Sequence, residues 1–195
     1  MYQLLRERNF KHFFRWLLIS ALVGVFAGVA AVVFLSLLSG VTELYREHPQ
    51  IVWALPLGGF LVGYLYFLYG QDVAAGNNLI LDEIHDPKRV VPFRMAPLVL
   101  FGTMVTHLFG GSAGREGAAV QISASLADQL SKPFRLGSSE RKAVLMAGAG
   151  AGFGAAIGAP WAGVIFGMEV IQVGRLRPYA VLECFIASFV AFYMT

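Results

Sequence analysis

Cysteine and charge are scarce in this chain of 195 residues. The single cysteine, Cys184, excludes an internal disulfide framework and a cysteine-based metal site, because both need a second thiol. Charged residues make up only 14% of the chain, and the formal net charge is +3. No segment is basic enough to suggest a nucleic-acid partner, and we expect neither a cofactor nor a metal.

Apolar residues, in contrast, make up 57% of the chain, and the mean hydropathy is +0.65. Soluble domains are about half apolar, so this composition predicts a multi-pass membrane protein. Residues 17–41 are long enough to cross about 30 Å of hydrocarbon and too long for a signal-peptide core. The basic residues before them predict that residues 1–16 form a cytoplasmic N-terminal segment.

The remaining apolar segments are short or interrupted. After a loop at residues 42–50, residues 51–69 are predicted to return across the membrane, and the polar stretch 71–94 holds at most a short helix at 79–83. The later segments are residues 95–109, 116–130, 141–157, 161–170 and 179–193. We therefore predict one all-α transmembrane domain over residues 1–195, with tilted, short and broken helices. Broken helices expose N–H groups at membrane depth, which suits an anion site.

Two basic loops bear on topology. One contains Lys132, Arg135, Arg141 and Lys142, and the other contains Arg175 and Arg177. By charge both belong in the cytoplasm, although only one does if the broken segment between them crosses the membrane. That segment carries glycines four residues apart between Gly148 and Gly158, a spacing that favours close helix packing in lipid.

An Arg-Glu pair stands at the head of an uncharged helix in GGSAGREGAAVQ, residues 110–121. An ionised carboxylate at membrane depth costs about 2.5–3.5 kcal/mol on insertion scales. Arg115 and Glu116 are adjacent, and adjacent helical residues do not face each other. We therefore expect the free N–H groups of Gly117, Ala118 and Ala119 to bind the Glu116 carboxylate. Such a carboxylate is suited to act as a gate, an anion mimic and a proton carrier.

Two stretches carry a resemblance to a known family. GSAGREGAAVQ and GAPWAGVIFGMEV resemble motifs of the CLC family of chloride channels and proton-coupled anion antiporters. That family's Gly-Ser-Gly-Ile-Pro loop falls on residues 76–80, where Asn77 replaces the serine and Ile80 the proline. With these replacements the chain most resembles the fluoride/proton antiporter branch. The resemblance spans about the first of the family's two inverted repeats.

The resemblance implies fluoride export coupled to inward proton movement, with this chain as half or a fragment of a homodimeric transporter in the cell membrane. It implies that Glu116 is the gating and proton-carrying residue. The implied anion-binding residues are Asn77, Gly117 and Ala118, and the implied pathway-supporting residues are Gly76, Ser112, Gly114 and Arg115. It also places the 132–142 loop outside and the 175–177 loop inside, and subunit contact near residues 161–195.

Several alternatives stay open. A chloride-selective CLC channel or transporter is the main one, and an assembly subunit whose partner performs transport is another. Residues 110–114 also match G-x-S-x-G, so Ser112 with His107 suggests an intramembrane serine hydrolase, although that motif needs a preceding strand. A metal site at Glu83, His85 and Asp86 is weaker, because charges in a polar loop are usually solvated. We expect the chain not to be an enzyme.

The second repeat of the family supplies further anion contacts, and this chain lacks it. We therefore predict that the 195-residue polypeptide alone does not transport anions. The measurement is fluoride efflux from liposomes that contain only this polypeptide, compared with protein-free liposomes. Efflux above the protein-free rate would contradict the prediction, and sequencing beyond codon 195 would show whether a second repeat follows.

Overall fold

A computed structural model describes the backbone of residues 2–170 and 178–195, and the side chains of residues 12–170 and 179–195. Within these residues the secondary structure is helical, as the sequence predicts. The α-helices are α1 (Tyr2–Glu47), α2 (Leu55–Tyr69), α3 (Asn77–His85), α4 (Met95–Leu108), α5 (Arg115–Asp128), α6 (Ser138–Ile157), α7 (Pro160–Glu169) and α8 (Val181–Met194). Short 3-10 turns lie at Pro49–Ala54, Gln129–Ser131 and Pro178–Ala180.

The first two crossings differ in detail from the prediction. Helix α1 continues through the predicted loop to Glu47, because no glycine or proline interrupts the chain between Gly40 and Pro49. By length and composition, His12–Glu47 and Pro49–Tyr69 are able to cross a membrane. The backbone of the basic N-terminal segment is helical from Tyr2, while most of its side chains lie outside the described residues.

The predicted break after α6 is confirmed. Gly158 has a φ of 72°, in the left-handed region that glycine adopts without steric cost. Pro160 then begins α7, where its missing N–H costs nothing and its fixed φ suits a helix. Helix α7 has only 10 residues. Its length of about 15 Å is half the thickness of a hydrocarbon core.

The close packing predicted from the glycine spacing is also confirmed. Gly148 and Gly152 face α5, and a Cβ atom at Gly152 would lie 2.6 Å from the Ala119 carbonyl oxygen. Gly150 and Gly154 face α7, where Gly150 lies directly against the Gly163 carbonyl. Two rows of glycine on α6 therefore allow a neighbouring backbone to approach on each side.

Helix α7 runs antiparallel to α6, so α7 returns toward the end of the molecule at which α6 begins. Met146, Gly150 and Gly154 on α6 lie opposite successively earlier residues of α7, from Gly167 back to Gly163. The start of α6 and the end of α7 are therefore on the same side. The second basic loop, with Arg175 and Arg177, lies outside the described residues.

The start of α1 lies at this same end. Arg15 donates to the Phe134 carbonyl at 2.6 Å and lies 3.9 Å from the Glu140 carboxylate. The expectation that the 132–142 loop and the N-terminus lie on opposite sides is therefore wrong. The resemblance placed them apart, whereas the contacts of Arg15 join them directly.

A buried ion-pair cluster joins the C-terminal ends of α3 and α5 to α6. Arg141 binds both carboxylate oxygens of Asp128 at 2.8 Å, and its Nη2 also lies 2.9 Å from Glu83 Oε2. The residues are only 0–6% exposed. The carboxylates also accept backbone N–H groups from Lys88 and Val91 at 2.9 and 2.7 Å. Each acid thereby anchors the loop between α3 and α4.

This cluster corrects the view of residues 71–94 as a polar stretch with a five-residue helix. Helix α3 extends to His85, and Glu83 is buried against Arg141 rather than solvated. Asp86 instead pairs with Lys88 at 3.3 Å on the surface. Of the three residues of the possible metal site, Glu83, His85 and Asp86, Glu83 is therefore already bound to the Arg141 guanidinium.

We predict that Arg141→Met strongly destabilises the fold, because two buried carboxylates lose their counter-charge. Breaking such a pair costs about 3–5 kcal/mol. The measurement is the thermal unfolding midpoint of the purified protein in detergent. Lys132→Met, in the exposed loop before α6, is the matched control and should leave the midpoint nearly unchanged. Equal midpoints for the two variants would contradict a structural role for the cluster.

Candidate functional site

The N-termini of α3 and α5 meet at one cleft. The cleft has a volume of about 540 Å³ and lies between these helix starts, α2 and α4. Its lining includes three of the predicted site residues, Asn77, Gly117 and Ala118, and the predicted pathway residue Gly114. The structure therefore brings together residues that are about 40 positions apart in sequence.

Helix α3 presents its first residue to this cleft. Gly76 is the N-cap, with a φ of 59° that favours glycine, and Asn77 follows it as the first helical residue. The N–H groups of Asn78 and Leu79 turn back to the carbonyls of Ala75 and Gly76 at 3.1 Å. Because these two amides are occupied, the candidate donors at this helix start are the side-chain amide and the backbone N–H of Asn77.

Helix α5 begins at Arg115, one residue earlier than predicted, with Gly114 as its N-cap and no side-chain cap. In a regular helix the N-cap carbonyl accepts the N–H four residues later, which is that of Ala118. The open amides are therefore those of Arg115, Glu116 and Gly117. Ala118, which the resemblance assigns as an anion donor, lines the cleft and is only 5% exposed. Its role as a donor stays a prediction, and regular helix geometry adds the amides of Arg115 and Glu116 to the candidate donors.

The two helix starts are in direct contact. A Cβ atom at Gly117 would lie 3.2 Å from the Asn77 Nδ2 atom, so any larger residue there would push the amide group away by a few tenths of an ångström. A Cβ atom at Gly76 would lie 3.3 Å from Gln121 Oε1. The amide side chain of Asn77 and the open amides of α5 thus face one small volume, where the positive ends of two helix dipoles add.

The Glu116 carboxylate is not bound by the amides that we expected. Arg115 Nε instead donates to Glu116 Oε1 at 3.2 Å, and the two side chains are 53% and 42% exposed. The rule that adjacent residues do not face each other applies inside a helix, whereas at the first turn a long Arg side chain bends around the free end. An exposed pair of this kind contributes only about 0–1 kcal/mol.

The Glu116 side chain nevertheless stays at the helix tip. A Cβ atom at Gly114 would lie 3.9 Å from Glu116 Oε2, so the carboxylate is above the N-cap at the margin of the cleft. Ser112 is exposed in the preceding loop and does not line the cleft. Gly114 lines the cleft. Arg115 does not line the cleft and instead contacts Glu116 at its margin.

Sequence reasoning missed several residues of the cleft. Gln121, Thr103, Thr106 and Tyr66 all line it. Gln121 lies one turn after Gly117 and donates to its carbonyl at 3.2 Å. Thr106 donates to the Gly102 carbonyl at 2.8 Å. The available signal was the presence of polar side chains within otherwise apolar helices.

The hydrolase alternative lacks its required geometry. Helix α4, rather than a strand, precedes the loop with Ser112. His107 Nδ1 lies 2.9 Å from the carbonyl of Thr103, on its own helix. Neither residue has the arrangement of a nucleophile elbow.

Comparisons with known proteins agree with this architecture. Residues 58–195 match the family model described as voltage gated chloride channel. The chain is 51% identical over 177 residues to a chloride/fluoride channel protein of Pseudomonas syringae pv. tomato, covering 91% of this chain and 39% of the relative. It is 32% identical over 170 residues to an H(+)/Cl(-) exchange transporter, ClcA, of Salmonella arizonae, covering 80% of this chain and 36% of the relative.

A solved structure gives the same result. The crystal structure of a CLC-type fluoride/proton antiporter matches with a TM-score of 0.89 and 33% identity, covering 93% of this chain and 46% of that one. The fold and the helix tips at the cleft define an all-α membrane protein of the CLC type. The chain belongs to the voltage-gated chloride channel family. It spans less than half the length of these relatives.

Proposed function

We propose that this chain forms the first half of an anion transporter that exports fluoride in exchange for inward proton movement. The observation that carries the proposal is the meeting of Asn77 and the Glu116-bearing helix tip at one cleft. The similarity to a chloride/fluoride channel protein and to a fluoride/proton antiporter supports the choice of ion.

The proposed mechanism uses competition for the helix tip. Ionised Glu116 is attracted to the open amides at the start of α5 and opposes anion occupancy there. Protonation removes its charge and therefore its hold on both these amides and Arg115. An anion then takes the vacated position, and the protonated side chain carries the proton in the opposite direction.

The proposed preference for fluoride rests on Asn77. Fluoride is small and strongly hydrated, so a site must replace its water with close donors. A carboxamide supplies two N–H donors, whereas the serine of the family motif supplies one O–H. Chloride transport remains the alternative, because the relatives include a chloride/proton exchanger.

The arrangement in the membrane is part of the proposal. We place residues 1–195 as one transmembrane domain, the first of two inverted repeats, with the N-terminus in the cytoplasm. We also propose a homodimer with contact near residues 161–195. Trp161, Ile165 and Tyr193 are exposed on α7 and α8, as a surface facing lipid or another subunit requires.

We predict that Glu116→Gln abolishes coupling to protons, because the amide neither ionises nor carries a proton at neutral pH. The measurement is fluoride-driven proton movement across liposomes that contain the product of the complete reading frame and any partner chain that copurifies. Glu43→Gln, an exposed carboxylate near the end of α1, is the control. Undiminished proton movement in Glu116→Gln would show that Glu116 is not the gating and proton-carrying residue.

We predict that Asn77→Ser weakens the preference for fluoride over chloride, because one O–H replaces two N–H donors. With about 0.5–1.5 kcal/mol per hydrogen bond, the ratio of fluoride to chloride flux should fall about two- to tenfold. Asn78→Ser changes the neighbouring exposed residue, which does not line the cleft, and is the matched control. If both variants keep the original ratio, Asn77 has only a structural role.

A further inference from the structure

Gln121 lies between the two helix tips that form the cleft. It is a residue of α5, one turn beyond Gly117, and its side chain is partly buried. Its Nε2 donates to the Gly117 carbonyl at 3.2 Å. Its Oε1 faces the N-cap of the other helix, because a Cβ atom at Gly76 would lie 3.3 Å away. One carboxamide therefore contacts both helix starts.

The contacts form a closed ring of four residues. Asn77 packs against Gly117, Gly117 binds Gln121, and Gln121 packs against Gly76, which precedes Asn77 in the chain. Neither helix start has a side-chain cap of its own. The Gln121 side chain therefore lies where it separates the N-cap of α3 from the first turn of α5, held in this position by its bond to the Gly117 carbonyl.

From this geometry we propose that Gln121 is a specificity-determining positioning residue. Its carboxamide holds the N-cap of α3 against the first turn of α5 and thereby fixes the size of the anion position next to Asn77. A small anion is held by donors on both sides, whereas a larger one has to force them apart. The inference rests on the proposed function, because it concerns the same cleft.

Gln129 provides a matched comparison on the same helix. Like Gln121, it donates to the carbonyl four residues earlier, here that of Ser125 at 2.7 Å. It also joins another segment, through the Val91 carbonyl at 2.8 Å. It does not line the cleft. Substitution at Gln129 therefore removes the same kind of bond within the helix, and one more to another segment, at a site away from the cleft.

The test compares Gln121→Met with Gln129→Met in the product of the complete reading frame, with any copurifying partner chain, in liposomes. Methionine keeps the length of the side chain and removes its hydrogen bonds. The measured quantity is the ratio of initial fluoride efflux to initial chloride efflux. We expect Gln121→Met to lower this ratio about two- to tenfold, the effect of one lost hydrogen bond. Gln129→Met should keep the ratio, even if it lowers the unfolding midpoint.

A double substitution tests whether Gln121 acts through Asn77. Once Asn77→Ser has removed the amide that Gln121 positions, adding Gln121→Met should change the ratio little further. If Gln121→Met fails to fold, Gln121→Asn replaces it, since the shorter side chain keeps the donors but does not reach Gly76. It is expected to lower the ratio as well.

The results that overturn the inference are distinct from those that overturn the proposed function. An unchanged ratio in Gln121→Met, or in Gln121→Asn where the methionine variant does not fold, overturns the inference alone. So do equal falls in the Gln121 and Gln129 variants, or fully additive effects with Asn77→Ser. Absence of anion flux in the unsubstituted protein overturns the proposed function, and the inference with it.

Discussion

The candidate site depends on two helices that begin at the same cleft. A helix start leaves N–H groups without intrahelical partners, which is costly at membrane depth unless protein or a bound group covers them. Here the starts of α3 and α5 face each other across Gly117, so one cleft concentrates both sets of dipoles. The same exposed polarity that is unfavourable in an apolar solvent makes this cleft suitable for a dehydrated anion.

The contacts at the cleft are supported by others at a distance from it. The far ends of both helices are joined to α6 by Arg141, which binds Asp128 of α5 and Glu83 of α3. Along its length α5 packs on the glycine face of α6, at Gly148 and Gly152. Rigid attachment at one end and close packing along the middle hold both helix starts in place, so that the part free to respond to an ion is the Glu116 side chain.

Much of the fold was predictable because breaks in a membrane helix coincide with glycine and proline residues in the sequence. Gly158 and Pro160 marked the turn between α6 and α7, and the repeated glycines marked the contact faces. The direction of α7 was not predictable, since a ten-residue helix crosses or returns with the same composition. The contacts of Arg15 with Phe134 and Glu140 show that the 132–142 loop lies at the same end as the start of the first crossing, which the family resemblance had placed at the opposite end.

The site was predictable only in part, for the same kind of reason. Asn77, Gly117 and Glu116 follow from a motif and from helix dipoles, which are local properties. Gln121 acts across two helices, so its role depends on a contact that no local pattern encodes. The burial of Glu83 similarly depends on Arg141, which is 58 residues further along the chain.

The Arg115–Glu116 pair, which the sequence argument discounted, fits a gate better than the arrangement that it predicted. A carboxylate bound by several main-chain amides would be strongly held, and an anion would have to displace it at full cost. The contact with Arg115 at 3.2 Å is a single side-chain bond, which holds the charge near the helix tip less strongly than several amides would. Small changes in protonation or in anion concentration then suffice to move the side chain. The weakness of this contact is therefore compatible with its proposed function, since a gate has to be released in every cycle.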